Sequence, residues 1–485
     1  MSQIAFSKAL KKLKDFNHFV LEHKELKDLF VDGDYDFLQA YQVFFFSYLT
    51  GFYGAVGWGN TDISQNTNID TKIRFRQIFA LLWSVLSYLW LIITCREILI
   101  FGADRDTSST YYCDFRVSNL YKYLKERKVK FVEFFHTIFD KNFISRAVYR
   151  HRPALYLELL DTLYKLSKIF KIVRPIPIPS IEINAGEDTE LFRNLIATYT
   201  PYIDRSRFKI RLLRWLLSLT NVKMAIGSED MRNYQELYAA CEMLGIKTHA
   251  FLGGTISKYY VEYIRHSVTL GRVIKPSFFI VESNFWKKEL MRWGTYFTPE
   301  EMMIGGNMKA DHNFSPVDTK TKETGKTITI LIPYETIAPK DKILEYIKKL
   351  SSYPEVTVAF KFRGDRPLAD QAQEYGLADM HRDNLKLITN LSEIKDFDMV
   401  AGTYSTFLYE MIGKLKPVVI LKTDLDWGEG LLANNLADEL DIDDSDIPTT
   451  LERIKNTNVK VLQDRKDKLY GEIVFLESTL KSILK

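Results

Sequence analysis

The chain has 485 residues, of which 46% are hydrophobic and 26% charged, and a net charge of +4. That length gives room for two domains with sizeable cores, and the composition is that of an ordinary globular protein. So small a charge excludes a general nucleic-acid binder, and Cys95, Cys113 and Cys241, in no metal or disulfide spacing, exclude a disulfide framework and point to a reducing compartment.

The first residues, MSQIAFSKALKKLKDF, lack the apolar core and small residues of a secretion signal. Leu10, Leu13, Phe16 and Phe19, then Leu26 and Leu29, recur at helical spacing and predict a helical N-terminal extension over residues 1–95. Inside it, Ile78–Thr94 carries no charge for 17 residues, the short limit of a membrane span. Because this run feeds straight into an apolar strand, a buried core helix is the favoured reading and contact with a membrane the other. The aromatic run Tyr41–Tyr53 poses the same question more weakly.

From residue 96 strands and helices alternate. Residues 97–103 read as a strand, 118–127 as a helix and 129–135 as a strand. A basic cluster (Arg146, Arg150, His151, Arg152), an amphipathic helix and the breaker Pro175-Ile176-Pro177-Ile178-Pro179 follow. A long helix is expected over 188–219, with Arg205, Arg207, Lys209, Arg211 and Arg214 on a solvated face or, as the sharper reading, a surface for anionic lipid or a phosphate-bearing acceptor. Strands at 222–230, 246–254 and 275–283 alternate with helices at 233–245 and 285–294. The polar segment 312–326 reads as a linker. A second series has strands at 327–334, 355–364, 385–389, 397–403 and 417–421, helices at 340–351 and 407–413, an acidic loop at 438–446, and a final helix over 464–484 expected to return to the first domain. Alternation of this kind predicts parallel, doubly wound sheets, an α/β fold with a first domain at 96–311 and a second at 327–485.

Ligands of doubly wound sheets bind where strands end. In the second series these exits hold Tyr334-Glu335-Thr336, Lys361-Phe362-Arg363 and Gly402-Thr403-Tyr404-Ser405-Thr406. Ser405 and Thr406 stand at a helix start, where hydroxyls and free N–H groups suit an anion, and Lys361 and Arg363 would neutralise phosphate. In the first series the exits hold Glu229 and Asp230, either of which could serve as a general base, and Gly253-Gly254. His249 reads as a packed core histidine and His266 as a helical residue of weaker interest. Asp424-Leu425-Asp426 mimics a metal-binding Asp-x-Asp motif, but a plain loop is the favoured reading.

The element 401–423, with its strand, Ser/Thr loop, helix bearing Glu410, Gly413-Lys414, Pro417 and strand, resembles the nucleotide-binding element of GT-B glycosyltransferases and of bacterial CDP-glycerol glycerophosphotransferases. In order of elements the resemblance covers residues 96–470. Gly306-Asn307 and Asp311 match in part a Gly-Asn-Pro turn at the interdomain hinge, with Met308 in place of proline. A Gln-His-Gly turn is replaced by Leu252-Gly253-Gly254, and a Lys-x-His-Pro element by Lys361-Phe362-Arg363-Gly364.

The resemblance implies two Rossmann-like domains and a glycosyltransferase working without a metal or other cofactor. It implies a nucleotide-activated donor held in the second domain by Lys361, Arg363, Tyr404, Ser405, Thr406 and Glu410. Gly253, Gly254, Gly306 and Asn307 would line the hinge and cleft. The acceptor would be a bacterial capsule or surface glycan, often lipid-linked, with the protein cytoplasmic or peripheral at the inner membrane face. CMP-sugar enzymes of the sialyl and Kdo type are among those resembled. Two alternatives stand beside this. A UDP-sugar 2-epimerase would be expected to carry two glycines after Ser405, where this chain has Thr406-Phe407. A non-catalytic scaffold of polysaccharide assembly is favoured somewhat by the missing histidines.

Overall fold

The apolar runs become the centres of two separate parallel sheets. The computed structural model describes residues 3–53, 75–103, 113–114, 117–136, 143–150, 152–172, 185–228, 231–254, 256–266, 268–306, 327–335, 338–363, 366–380, 382–394, 396–470 and 476–484. The strands are β1 (Val31–Asp32), β2 (Tyr35–Asp36), β3 (Ile98–Ala103), β4 (Phe131–His136), β5 (Ala154–Tyr156), β6 (Met224–Ser228), β7 (Lys247–Phe251), β8 (Arg272–Val273), β9 (Phe278–Val281), β10 (Met302–Ile304), β11 (Ile328–Pro333), β12 (Val356–Lys361), β13 (Leu385–Ile388), β14 (Met399–Gly402), β15 (Val418–Leu421) and β16 (Asp438–Leu440). The first large sheet has the order β10-β9-β7-β6-β3-β4-β5 and the second β13-β12-β11-β14-β15-β16. Every neighbouring pair in both is parallel.

Each sheet starts at an inner strand, winds outward to one edge, then returns to build the other side. This is the doubly wound, Rossmann-like arrangement expected from the sequence. The winding reverses between β3 and β6 in the first sheet and between β11 and β14 in the second, and a crevice opens beyond the carboxyl ends at such a point. Central strands are buried on both faces, which is why they read as continuous apolar runs: Ile98 to Phe101 and Met399 to Ala401 are all buried.

The N-terminal helices (Gln3–Glu22, Lys24–Phe30 and Phe37–Phe52) share the first domain's core. The Phe16 ring lies 5.2 Å from Phe45, 5.3 Å from Phe192 and 6.3 Å from Phe30. β1, β2 and β8 form a small third sheet that ties this region to residue 272.

The chain's end returns to the first domain as expected, but as two helices, Val459–Tyr470 and Leu476–Ile483, where one was expected. Leu480 and Ile483 enter the apolar cluster of Ile98, Ile100 and Ile280, and Arg127 pairs with Glu477 at 2.6 Å. At Gly305 a Cβ would fall 2.2 Å from Ile280 Cγ2 of β9, a clash that glycine avoids, and 3.3 Å from Thr479 Cγ2 of the last helix, which packs close beside it.

Three further expectations change. The short edge strand β5 lies between the basic cluster and the following helix, where the sequence suggested no strand. Residues 438–440 of the acidic stretch are not loop but the edge strand β16, with Asp438 neutralised by Arg465 at 2.9 Å and Arg453 at 3.4 Å. The basic face of helix Thr189–Ser218 is not uniformly solvated: Lys209 is buried and pairs with Asp161 at 2.7 Å, while Arg207 donates to the carbonyls of Leu29 and Val31. At its end Arg211 is exposed yet reaches Asp32 at 3.5 Å, and Arg214 is exposed. The linker 312–326 and the proline segment 175–179 lie outside the described residues.

Candidate functional site

The two sheets bring their carboxyl ends toward one another. A Cβ placed on Gly254, just past β7, would lie 3.9 Å from Thr406 Oγ1 at the start of helix Thr406–Gly413 beyond β14. The loop after β7 (Gly253-Gly254) therefore meets the loop after β14. Gly306 has φ +74°, a left-handed conformation suited to glycine at a chain reversal. Glu229, Asp230 and Asn307 lie outside the described residues. Ser228, immediately before the two carboxylates, ends β6 beside Gly102 of β3, at that sheet's reversal.

The second sheet's reversal is organised by Glu335. This buried residue follows β11, and its carboxylate fills the concave side of the loop after β14. Oε2 accepts from Thr403 N–H at 2.8 Å and Thr403 Oγ1 at 2.6 Å. Oε1 accepts from the N–H of Tyr404 at 2.9 Å and of Ser405 at 2.7 Å. Successive N–H groups at the start of a helix form an anion-binding nest. The expectation of free N–H groups at Ser405 and Thr406 is corrected for Ser405, whose N–H a side chain of the protein already takes. Burial raises the Glu335 carboxyl above its ordinary pKa, against these hydrogen bonds, which lower it. Gly402 is obligatory here, since a Cβ would come 2.8 Å from Glu335 Oε1.

Ser405 caps the following helix, its Oγ accepting from Phe407 N–H at 3.2 Å. That use of the hydroxyl is the one a helix start requires. Tyr404 turns its ring edge to Trp427 at 5.2 Å. Lys361, ending β12, is half-buried, and desolvation lowers its pKa against the pull of Glu410. Arg363 lies over the Tyr334 ring at 5.6 Å, and Gln371 grips its backbone, accepting from its N–H at 3.3 Å and donating to its carbonyl at 2.8 Å.

A lock across the two domains was not visible in the sequence. Lys258 reaches Asp426 at 2.6 Å and Glu429 at 2.9 Å. Burial alone would lower its pKa, but these bonds outweigh it and raise it. Asp426 is thereby a structural carboxylate, in keeping with the plain-loop reading of Asp424-Leu425-Asp426. Beside it the Trp427 ring stacks on Tyr259 at 5.7 Å and meets Phe6 of the first helix edge-on at 5.4 Å. Aromatic residues spaced far apart in sequence carried no signal of this hub.

His249 is a core residue as expected, stacked on Phe278 at 5.0 Å. His266 lies in a loop rather than on a helix. Burial pushes both down to about 4.

No family model and no curated protein matches this chain. Solved structures of similar fold include the glycosyltransferase of kitacinnamycin, at 9% identity, with 80% of this chain and 98% of that one covered and a TM-score of 0.47. The calicheamicin glycosyltransferase CalG4 aligns at 10% identity over 80% and 98% of the two chains, with a TM-score of 0.46. The UDP-GlcNAc 2-epimerase from Methanocaldococcus jannaschii aligns at 10% identity over 80% and 99%, with a TM-score of 0.42. At these identities the likeness is one of fold alone.

Proposed function

We propose that the chain is a GT-B-type glycosyltransferase that draws on a nucleotide-activated donor. The observation that carries this reading is the pair of doubly wound sheets whose exit loops meet where Gly254 lies against Thr406. The donor would lie on the second domain. Because Glu335 takes the amides of Thr403, Tyr404 and Ser405, the donor's phosphate falls to Lys361 and Arg363 at the exit of β12, and the Thr406 hydroxyl, at the helix start, would add a further donor. Glu410 would accept from a sugar or ribose hydroxyl. Glu229 or Asp230 would take the proton of the acceptor hydroxyl as it attacks the donor carbon, and the cations would stabilise the departing phosphate without a metal. A surface glycan of a bacterial envelope is the acceptor class this reading favours, and a CMP- or CDP-linked group the donor class.

A scaffold without catalysis is the second reading, and one observation favours it: an internal carboxylate sits where an anionic donor would otherwise be held by backbone amides. Thermal unfolding with CMP, CDP, UDP and GDP separates the two. A nucleotide at about 100 times its dissociation constant adds roughly 2.7 kcal/mol of stability. Stabilisation by one nucleotide, lost in Lys361→Met and Arg363→Met, supports the transferase. No stabilisation by any of them, with intact Glu335, supports the scaffold.

A further inference from the structure

Helix Phe75–Thr94 has two faces of different kinds. Ala80, Ser84, Ser87 and Leu91 point inward and are buried. The Ser84 hydroxyl accepts from Tyr156 N–H and the Ser87 hydroxyl from Ala154 N–H, both at 3.0 Å, so the helix closes the open edge of β5. The opposite face has no cover among the described residues. It presents Ile78, Leu82, Val85, Leu86, Leu89, Trp90 and Ile93, with Leu82 59%, Leu86 62% and Ile93 74% exposed. The expectation of a fully enclosed core helix thus fails for half its circumference.

Neighbouring elements expose apolar residues as well. Tyr88 donates to the Leu216 carbonyl at 2.8 Å, joining this helix to the end of helix Thr189–Ser218, where Trp215 and Leu219 are exposed. Leu91, Leu159 and Leu216 line one small cavity between the three helices that meet here. The third, Leu157–Ile169, ends in exposed Leu166, Ile169, Phe170 and Ile172. Single exposed apolar residues are ordinary, but seven on one face of one helix mark a surface with a partner.

The charges name that partner. Residues 75–96, 162–172 and 205–223 contain no aspartate or glutamate, yet they carry Arg76, Arg96, Lys165, Lys168, Lys171, Arg205, Arg207, Lys209, Arg211, Arg214 and Lys223. Lys165, Lys171 and Arg214 are exposed and form no ion pair among the described residues. Lys168, Arg205, Arg207, Lys209, Arg211 and Lys223 are taken up by Asp204, Asp161, Asp32 and Glu97, so it is the unpaired Lys165, Lys171 and Arg214 that make an apolar face bearing tryptophan complementary to the interface of an anionic bilayer. No described helix is long and apolar enough to cross a membrane, so the contact is with the interface.

We propose that this face seats the protein on an anionic lipid surface. The direction of the helix adds a consequence. Along β5 the chain runs from Ala154 to Tyr156 while its partners run from Ser87 back to Ser84, so helix and strand are antiparallel. The helix therefore begins on the side where the strands end, which is the side of the cleft. A bilayer against this face extends to the cleft rim, within reach of an acceptor held in the lipid. The seating itself does not depend on what the cleft binds.

Flotation with vesicles tests it. The full chain should float with vesicles of phosphatidylcholine and phosphatidylglycerol, and more weakly with phosphatidylcholine alone. Changing Leu82, Leu86 and Leu89 to serine should abolish flotation while leaving the thermal midpoint in place, because these side chains are open to solvent. Changing Lys165, Lys171 and Arg214 to glutamine should weaken binding about tenfold or more at low salt and less at high salt. Wild-type protein that stays with neither vesicle overturns the proposal, as does a leucine variant that floats like wild type. Sedimentation showing a dimer that the leucine variant dissolves, with no flotation, assigns the face to a second copy and equally overturns it.

Discussion

The carboxylate of Glu335 closes on Thr403, 68 residues away, taking both its N–H at 2.8 Å and its hydroxyl at 2.6 Å. With the amides of Tyr404 and Ser405 it completes a four-donor cradle at the sheet's reversal. The protein thus carries its own anion where the fold ordinarily offers an anion site.

Removing that carboxylate should expose the nest. Glu335→Ala leaves four buried donors without an acceptor, at a cost of about 3 kcal/mol or more. Inorganic phosphate or sulfate should then raise the melting temperature of the variant by more than that of wild type. Equal responses of the two proteins would show that the loop amides do not form an anion site. Glu335→Gln should recover little, because its NH2 group would face N–H donors.

The hub at Trp427 joins three parts of the chain: Phe6 from the first helix, Tyr259 from the first domain and Tyr404 from the second. Trp427→Ala should cost about 3–5 kcal/mol. Its local effect should be release of the first helix, seen as faster proteolysis within residues 3–22. Lys258→Met should act differently. It leaves Asp426 and Glu429 partly exposed, so its stability cost should be about 1 kcal/mol or less and should shrink with added salt.

How far these features were legible in the sequence depends on the distance over which each is decided. The runs at 98–103, 328–333 and 399–402 declare themselves locally, since a strand buried on both faces must be apolar along its length. The Ser405 cap and the reversal at Gly294 are likewise local, a hydroxyl before a helix and a glycine at φ +82° after one. β5 is different: its three residues become a strand because β4 and the serines of helix Phe75–Thr94 supply partners. Lys209 looks solvated until Asp161 is placed against it. Glu335 was visible as a strand exit, but nothing near it in sequence says that its partners begin at residue 403.

The serines that close the β5 edge make a separable prediction. Ser84→Ala and Ser87→Ala each remove the acceptor of a buried strand N–H, at about 1–3 kcal/mol. The double variant should also lose amide-exchange protection at Ala154 and Tyr156 before the rest of the sheet opens. Full protection in the double variant would mean that another group satisfies the edge.

The last prediction concerns acid. His249 is buried against Phe278, its Nδ1 has no hydrogen-bond partner among the described residues, and burial lowers its pKa from 6.5 to about 4. The unfolded chain then binds the extra proton at higher pH than the folded one. Its contribution to stability is complete above the unfolded value and is lost as pH falls from about 6.5 through about 4. Asp36 works the other way. It caps helix Phe37–Phe52 through Gln39 N–H at 2.9 Å, and burial raises it from 3.8 to about 6. The folded chain holds that proton at higher pH than the unfolded one, so stability is gained as pH falls from about 6 toward about 4. The two terms oppose each other in one window, and wild type alone would show only their difference. Urea unfolding at pH 4.5 and pH 7 should therefore be read on variants. Relative to wild type, His249→Gln should lose less stability on acidification, by up to about 3 kcal/mol, and Asp36→Asn should lose more. A wild-type-like pH dependence in His249→Gln would mean that this histidine is protonated in the folded state, contrary to its burial.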